Sequence, residues 1–329
     1  MKIKLIEKIN AMPLPFDILW YYESICKTYI VDIALEERLG TISRIQTPMP
    51  LVKLGFGGAA IGLTNYMGLY DAQSPESREE AIATVRKAAT MGVNYFDTAP
   101  GYGNGLSEEL MGEALETVRT PYFLASKLHL AAPEQLRASV ENSLKRLRRN
   151  RIDLIQLHGS SYTAEQVHEI LKPGGAVDTL RNMRDEGLFD YIGFTTEDNN
   201  AGTYALIESD AFDSIQLAYN IMLQHPYEPT RPFGSLYEAK KRGMLTITMR
   251  SATSGIFQRW VQMVNPGNAF DYTPSLIQFV LSNRLVDIAL VGMRTQEMVQ
   301  SSVDIWRDQN GRIDIDQLWN RYEQPQITA

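Results

Sequence analysis

The segment VNYFDTAPGYG, Val93 to Gly103, decides the reading of this chain. An apolar run ends in Asp97, and Tyr102 follows in a glycine-rich loop, so an acid and a phenol are delivered to the same end of one strand. Two later segments repeat the arrangement with other chemistry: YFLAS runs into Lys127, and IDLIQL runs into His158. A carboxylate, a phenol, an ammonium and an imidazole at the C-terminal ends of strands are the parts of a proton-transfer site on an α/β barrel. Each residue alone has an ordinary explanation: a packing tyrosine, an ion-paired lysine, a satisfied histidine. The ordered set of four is much harder to explain that way.

Outward from this segment, short apolar runs alternate with helical patterns eight times. Expected strands are Val52–Gly57, Val93–Thr98, Tyr122–Lys127, Ile152–His158, Tyr191–Thr195, Ser214–Tyr219, Met244–Met249 and Asp287–Gly292. Most are nearly continuous in apolar residues, as strands buried on both faces should be. Helix starts are signalled by Ser77 with Glu80 as a capping box, by Pro133 at a first helical position, and by Thr273 with Pro274. Lys172–Ala176 reads as a loop between two helical pieces, and the cations of Lys145–Arg151 as the solvated end of a helix. Longer loops are expected at Thr64–Pro75, His158–Thr163, Gln224–Pro232 and Ser251–Tyr272, all after strands, where a barrel carries its site. The pattern predicts a single-domain (β/α)8 TIM barrel over residues 46–329, preceded by an N-terminal extension over residues 1–45.

Composition narrows the function classes. The 329 residues are 44% hydrophobic and carry a formal charge of -7, ordinary for a globular protein and poorly suited to a nucleic-acid surface. Cys26 is the only cysteine, which excludes an intrachain disulfide and a cysteine-based metal site. His129, His168 and His225 show no metal-ligand spacing, so no metal is expected. In the N-terminal stretch, Glu7, Lys8 and Asp17 interrupt any hydrophobic run, which argues against a signal peptide or membrane anchor. The mixed amphipathic stretch Phe16–Leu39 reads as packing or subunit contact, and a cytoplasmic location is expected.

The four residues suit one task. A tyrosine ionises near pH 10, and a neighbouring ammonium eases that ionisation. Lys127 would supply the charge, Asp97 would hold Lys127, and a neutral His158 would donate a hydrogen bond to a carbonyl oxygen. Here the chain resembles the aldo-keto reductase superfamily, through LGFGGAAIG, GVNYFDTAPGYGNGLSEELMGEAL, ASKL, IDLIQLH, GFTTE, IQLAYN, SGIF and LVGMRT, between about Leu54 and Val303. The resemblance implies a barrel that binds NADP(H), with NAD as the alternative, in an extended conformation without a Rossmann turn. It also implies a small-molecule carbonyl or alcohol substrate. Tyr102 would then be the general acid or base, Lys127 and Asp97 its tuning pair, and His158 the substrate-orienting residue.

The glycine cluster at Gly55, Gly57, Gly58 and Gly62 lacks the G-x-G-x-x-G spacing, so Gly57 and Gly58 are expected to let the first loop approach a flat ring closely. By resemblance, Gln216 would grip the nicotinamide carboxamide, with Asn220 in the same motif. Thr195 and Thr196 stand where the family usually has Ser-Asn, and Met249 stands where it often stacks an aromatic ring. Arg250 would lie near the pyrophosphate, Gly292 beside the cofactor, and Arg294 at the 2'-phosphate. Met298, Ser301 and Ser302 depart from the family's adenosine-side pattern. Two other functions compete: a Schiff-base lyase using Lys127, and a redox-sensing regulatory subunit like the potassium-channel beta subunits, suggested by the N-terminal extension.

Overall fold

Eight parallel strands that are buried on both faces need helices outside and a filled interior. The computed structural model, which describes residues 43–224 and 234–315, has that arrangement. The expected extension up to residue 42, the stretch Phe16–Leu39 and Cys26 lie outside the described residues, as does most of the expected loop Gln224–Pro232 with His225. The strands are β1 Leu54–Gly57, β2 Tyr95–Asp97, β3 Phe123–Leu128, β4 Ile152–Leu157, β5 Phe189–Thr196, β6 Ser214–Ala218, β7 Leu245–Met249 and β8 Ile288–Gly292. They pair in sequence order as a closed barrel, with β1 against β8 from Leu54 opposite Ala289 to Gly57 opposite Gly292.

Most strand ends fall within two residues of expectation, and the differences have local causes. β1 and β2 both start two residues late because the Asn94 side chain takes over the ladder there: its Oδ1 accepts from Val52 N at 2.9 Å, and its Nδ2 donates to Pro50 O at 2.9 Å. β5 starts two residues early because Phe189 pairs with Ile152 at the start of β4.

Alternation along the strands divides the interior into layers. Toward the N-terminal end, Tyr95, Phe123 and Tyr191 form a stacked aromatic ladder with centroids 5.4 and 6.2 Å apart. Nearer the C-terminal end, β2, β3 and β4 turn polar at Asp97, Lys127 and Gln156, all buried, with Lys127 opposite Gln156 in the register. A larger apolar cluster, including Phe96, Leu110, Ile155 and Phe194, fills the space between the barrel and its helices. Burying a side chain of this size is worth about 1.5–3 kcal/mol, so this cluster is the main support for the polar layer above.

Three helix expectations hold, and two need correction. Pro133–Arg146 opens at its proline, Thr273–Ser282 at Thr273, and Ala164–Leu171 and Ala176–Asp185 flank the short loop between them. Helix Pro75–Thr90 is capped by Ser74, whose Oγ accepts from Ser77 N at 3.1 Å; Glu80 instead accepts from Gln296 N at 2.9 Å. The stretch Ser251–Tyr272 is not one loop, since it contains helix Ile256–Val264, started by Thr253 Oγ1 accepting from Phe257 N. Its apolar residues Ile256, Phe257, Trp260, Val261 and Val264 recur at helical spacing, a signal the loop reading passed over, although none of the helix's residues is buried. Among the described residues no helix is long and apolar enough to cross a membrane.

Candidate active site

The four residues singled out in the sequence meet at the C-terminal end of the barrel. Asp97 closes β2, Lys127 lies in β3, and Tyr102 and His158 follow β2 and β4. The loop holding Tyr102 is shaped by three successive left-handed residues: Gly103 (φ 68°), Asn104 (φ 55°) and Gly105 (φ 94°). Gly103 is required sterically as well, because a Cβ there would overlap the Gly62 carbonyl. The helix that follows, Leu106–Leu115, is anchored by the fully buried Glu108. Its carboxylate accepts from Ser126 Oγ and from Arg146 Nε, each at 2.6 Å, so the tyrosine loop and β3 are tied together one residue from Lys127.

Lys127 Nζ donates to Asp97 Oδ1 at 2.6 Å and to Thr98 O at 2.9 Å, and lies 5.0 Å from the centre of the Tyr102 ring. Burial alone would lower the lysine's pKa, but the facing Asp97 and Tyr102 outweigh it and hold Lys127 above its ordinary value. Burial lifts the Asp97 carboxyl, against the pull of Lys127 and of the Gln216 and Gln156 amides. Tyr102 departs from simple expectation: burial raises its phenol above the ordinary value, and Lys127 opposes that rise without cancelling it. His158 is pushed down to about 3 by burial, by Lys127 and by His129, so its imidazole is neutral at physiological pH. Its ring meets Tyr102 edge-on, with centroids 5.8 Å apart.

These groups open into a pocket of about 580 Å³. Of the other residues expected at the site, Gly57, Thr195, Gln216, Met249, Arg250 and Gly292 line it. Gly58, Thr196, Arg294 and Met298 do not. Gly58 is a packing glycine, since its N–H donates to Asp97 O at 2.7 Å and a Cβ would come within 2.6 Å of that same oxygen. Thr196 is turned into its own loop, where its hydroxyl donates to Asp198 O at 2.8 Å and accepts from Asp198 N at 3.0 Å. Met298 packs on the core between barrel and helices. Arg294 lies two residues past Gly292, its guanidinium 4.6 Å over the Tyr70 ring, with Nε and Nη2 buried and unpartnered. Arg250 is paired: its Nη2 donates to Glu197 Oε1 at 2.6 Å, and its backbone is left-handed at φ 59°.

Several lining residues escaped the sequence reading. His129 stacks on His158 at 5.0 Å and 16°, a contact set by two loops coming together and marked by no motif. Glu197 carries the ion pair with Arg250, and Tyr66 shares a 3.0 Å hydrogen bond with Ser254 across the rim. Ser251 Oγ is buried and unpartnered in the wall. A hydroxyl after β7 could have been flagged from the sequence, but its burial could not.

A model of the Aldo/keto reductase family matches residues 53–320. Among curated proteins, the chain is 28% identical over 169 residues to L-galactose dehydrogenase from Arabidopsis thaliana, an alignment covering 49% of each chain. It is 31% identical over 197 residues to D-threo-aldose 1-dehydrogenase from Pseudomonas sp, covering 50% of this chain and 56% of that one. The chain thus spans about half the length of these curated relatives. An aldo-keto reductase from Klebsiella pneumoniae in complex with NADPH has the same fold, with a TM-score of 0.62 and 18% identity over 85% of this chain and 94% of that one. The barrel, its strand-end residues and the match across most of the sequence lead to one conclusion: the chain belongs to the aldo/keto reductase family.

Proposed function

We propose that this protein is an NADP(H)-dependent oxidoreductase that interconverts a small-molecule carbonyl and its alcohol. The observation that carries the reading is the Lys127–Asp97 pair sealed beneath Tyr102, beside a neutral His158, at the floor of a pocket with mixed polar and apolar walls. The cavity suits a nicotinamide dinucleotide. Gly57 has no side chain on the pocket wall, Gln216 and Met249 flank the floor, and Ser251 Oγ lacks a partner. Two guanidinium nitrogens of Arg294 lack partners, two residues past Gly292; they lie buried against the Tyr70 ring outside the pocket, so the phosphate contact that favours NADP over NAD requires that ring to move aside. Arg250, held by Glu197, is a weaker candidate for the pyrophosphate.

NADP(H), when bound, supplies or accepts the hydride at the carbon. Tyr102 gives the proton to the carbonyl oxygen in reduction and takes it back in oxidation. Lys127 stabilises the phenolate that remains, and Asp97 holds the ammonium under it. The neutral imidazole of His158 donates to the same oxygen and orients it. A phenol lifted by burial is a weak acid in the free protein, so this chemistry rests on the ammonium beneath it. The names of the sugar dehydrogenases among the relatives, together with the hydroxyls and carboxylate on the pocket wall, favour a hydroxylated substrate. The Schiff-base alternative is disfavoured because Lys127 is buried and held protonated by Asp97, with no free lone pair to attack a carbonyl. The regulatory-subunit alternative rests on residues outside those described.

The test is a fluorescence titration with NADPH and NADH, followed by a carbonyl and sugar panel with Tyr102→Phe. Cofactor affinity should stay within about twofold while turnover falls roughly 100- to 10,000-fold, the scale of general acid catalysis. Near-normal turnover by Tyr102→Phe would remove the role assigned to this residue.

A further inference from the structure

Between the lysine–carboxylate pair and Gln216 stands a second glutamine with no assigned role. Gln156 is fully buried in β4, beside Lys127 of β3 and Gly193 of β5 in the strand register. Its Nε2 donates to Gln216 Oε1 at 3.0 Å and reaches Asp97 Oδ2 at 3.4 Å, while its Oε1 has no partner. The amide is thus held by its donor end alone. Turning it round would set its oxygen against the Asp97 carboxylate, two acceptors in a buried site, so the charge on Asp97 fixes its direction. Gly193 makes the room: a Cβ there would press Gln156 Cγ at 3.1 Å and overlap Ser214 Oγ.

We propose that Gln156 is a positioning residue that couples Asp97 to Gln216 and fixes which end of the Gln216 amide faces the pocket. With the Gln156 nitrogen directed by Asp97, Gln216 must turn its oxygen toward Gln156. Its own Nε2 then lies 3.7 Å from Met249 Sδ, on the pocket side. Gln216 therefore offers the pocket hydrogen-bond donors, the complement of a carbonyl oxygen such as that of a carboxamide. The charge state of the catalytic pair and the grip on the ring are joined through this amide, in addition to the direct pull of the Gln216 amide on the Asp97 carboxyl. The inference rests on the dinucleotide reading of the pocket.

A double-mutant cycle in nucleotide binding tests it, with Gln156→Met and Gln216→Met alone and together, NADPH affinity read by fluorescence, and folding checked by thermal melting without ligand. Gln156→Met should weaken NADPH about three- to tenfold, the scale of one lost hydrogen bond. Gln216→Met should then cost at least about threefold less in that background than in the wild type. Independent effects in a folded pair, or wild-type affinity in Gln156→Met, overturn the coupling while leaving the dinucleotide reading intact. A wild-type protein that binds neither NADPH nor NADH removes that reading, and the coupling with it. Should Gln156→Met not fold, Gln156→Leu replaces it. Should neither fold, the wild-type side-chain amide of Gln156 is followed by NMR: slow exchange and a shift in Asp97→Asn support the coupling, and a fast-exchanging signal that ignores Asp97 overturns it.

Discussion

Replacing Lys127 by methionine tests the pair at the pocket floor through stability alone, with no substrate needed. The ammonium and the Asp97 carboxylate are both buried, 2.6 Å apart, and Lys127 also donates to Thr98 O. Removing one partner of a buried pair costs about 3–5 kcal/mol, because the other charge is left in a poor solvent. That is a large part of the roughly 5–15 kcal/mol that holds a domain folded. The loss should also depend on pH in a definite direction. In Lys127→Met, burial without the ammonium holds the Asp97 carboxyl above the unfolded value of about 3.9, so the native state binds a proton that the unfolded chain releases. Stability of the variant relative to wild type should therefore recover as pH falls through the raised Asp97 value toward the unfolded value of about 3.9, by up to about 1.4 kcal/mol per pH unit. Urea denaturation at three pH values measures both quantities, and Lys127→Met combined with Asp97→Asn should regain most of the loss. A pH-independent loss below about 1 kcal/mol, or no recovery in the double variant, would show that Lys127 is not the counter-charge of a buried carboxylate.

Gly58→Ala should lower stability by about 1–3 kcal/mol, since its Cβ would meet Asp97 O and Ser107 Oγ at 2.6 Å, whereas Gly57→Ala, whose nearest contact is Val291 O at 3.4 Å, should melt near wild type; equal melting temperatures would contradict the packing. His129→Ala should raise the His158 pKa from about 3 by admitting water and removing one lowering neighbour, a change followed by proton NMR of the imidazole and absent if the stack has no influence. Because His158 titrates below its unfolded value of about 6.5, its contribution to stability falls as pH drops from there toward 3, and His129→Ala should narrow that window. Arg294→Met should weaken NADPH by about 1.5–3 kcal/mol and NADH much less, as measured by titration; equal losses would remove the 2'-phosphate role.

The barrel was legible because parallel strands buried on both faces leave continuous apolar runs, and Asp97, Lys127 and His158 interrupt such runs near their C-terminal ends. What the sequence hid depends on contacts between loops or on the direction of a side chain. His129 reads as an isolated histidine until the loops after β3 and β4 bring it onto His158. Gln156 reads as one polar residue in an apolar strand, and only closure of the barrel sets it between Asp97 and Gln216. Thr196 and Gly58 sit beside residues that line the pocket, yet a one-residue step turns them away from it. Arg250 carries the charge expected of it, but Glu197, two strand-ends of sequence away, already engages that charge.

The rim closure has a kinetic consequence. The Arg250–Glu197 pair links the loops after β5 and β7, with each side chain 39% exposed, and Tyr66 and Ser254 join a second pair of loops. The exposed ion pair holds by about 0–1 kcal/mol and weakens with salt, and the neutral Tyr66–Ser254 hydrogen bond adds about 0.5–1.5 kcal/mol that salt does not screen. A gate fastened so lightly opens on the timescale of side-chain and loop motion, without unfolding any strand. Arrival at the pocket should therefore quicken with ionic strength or with Glu197→Gln, while residence time is governed by the contacts at the floor.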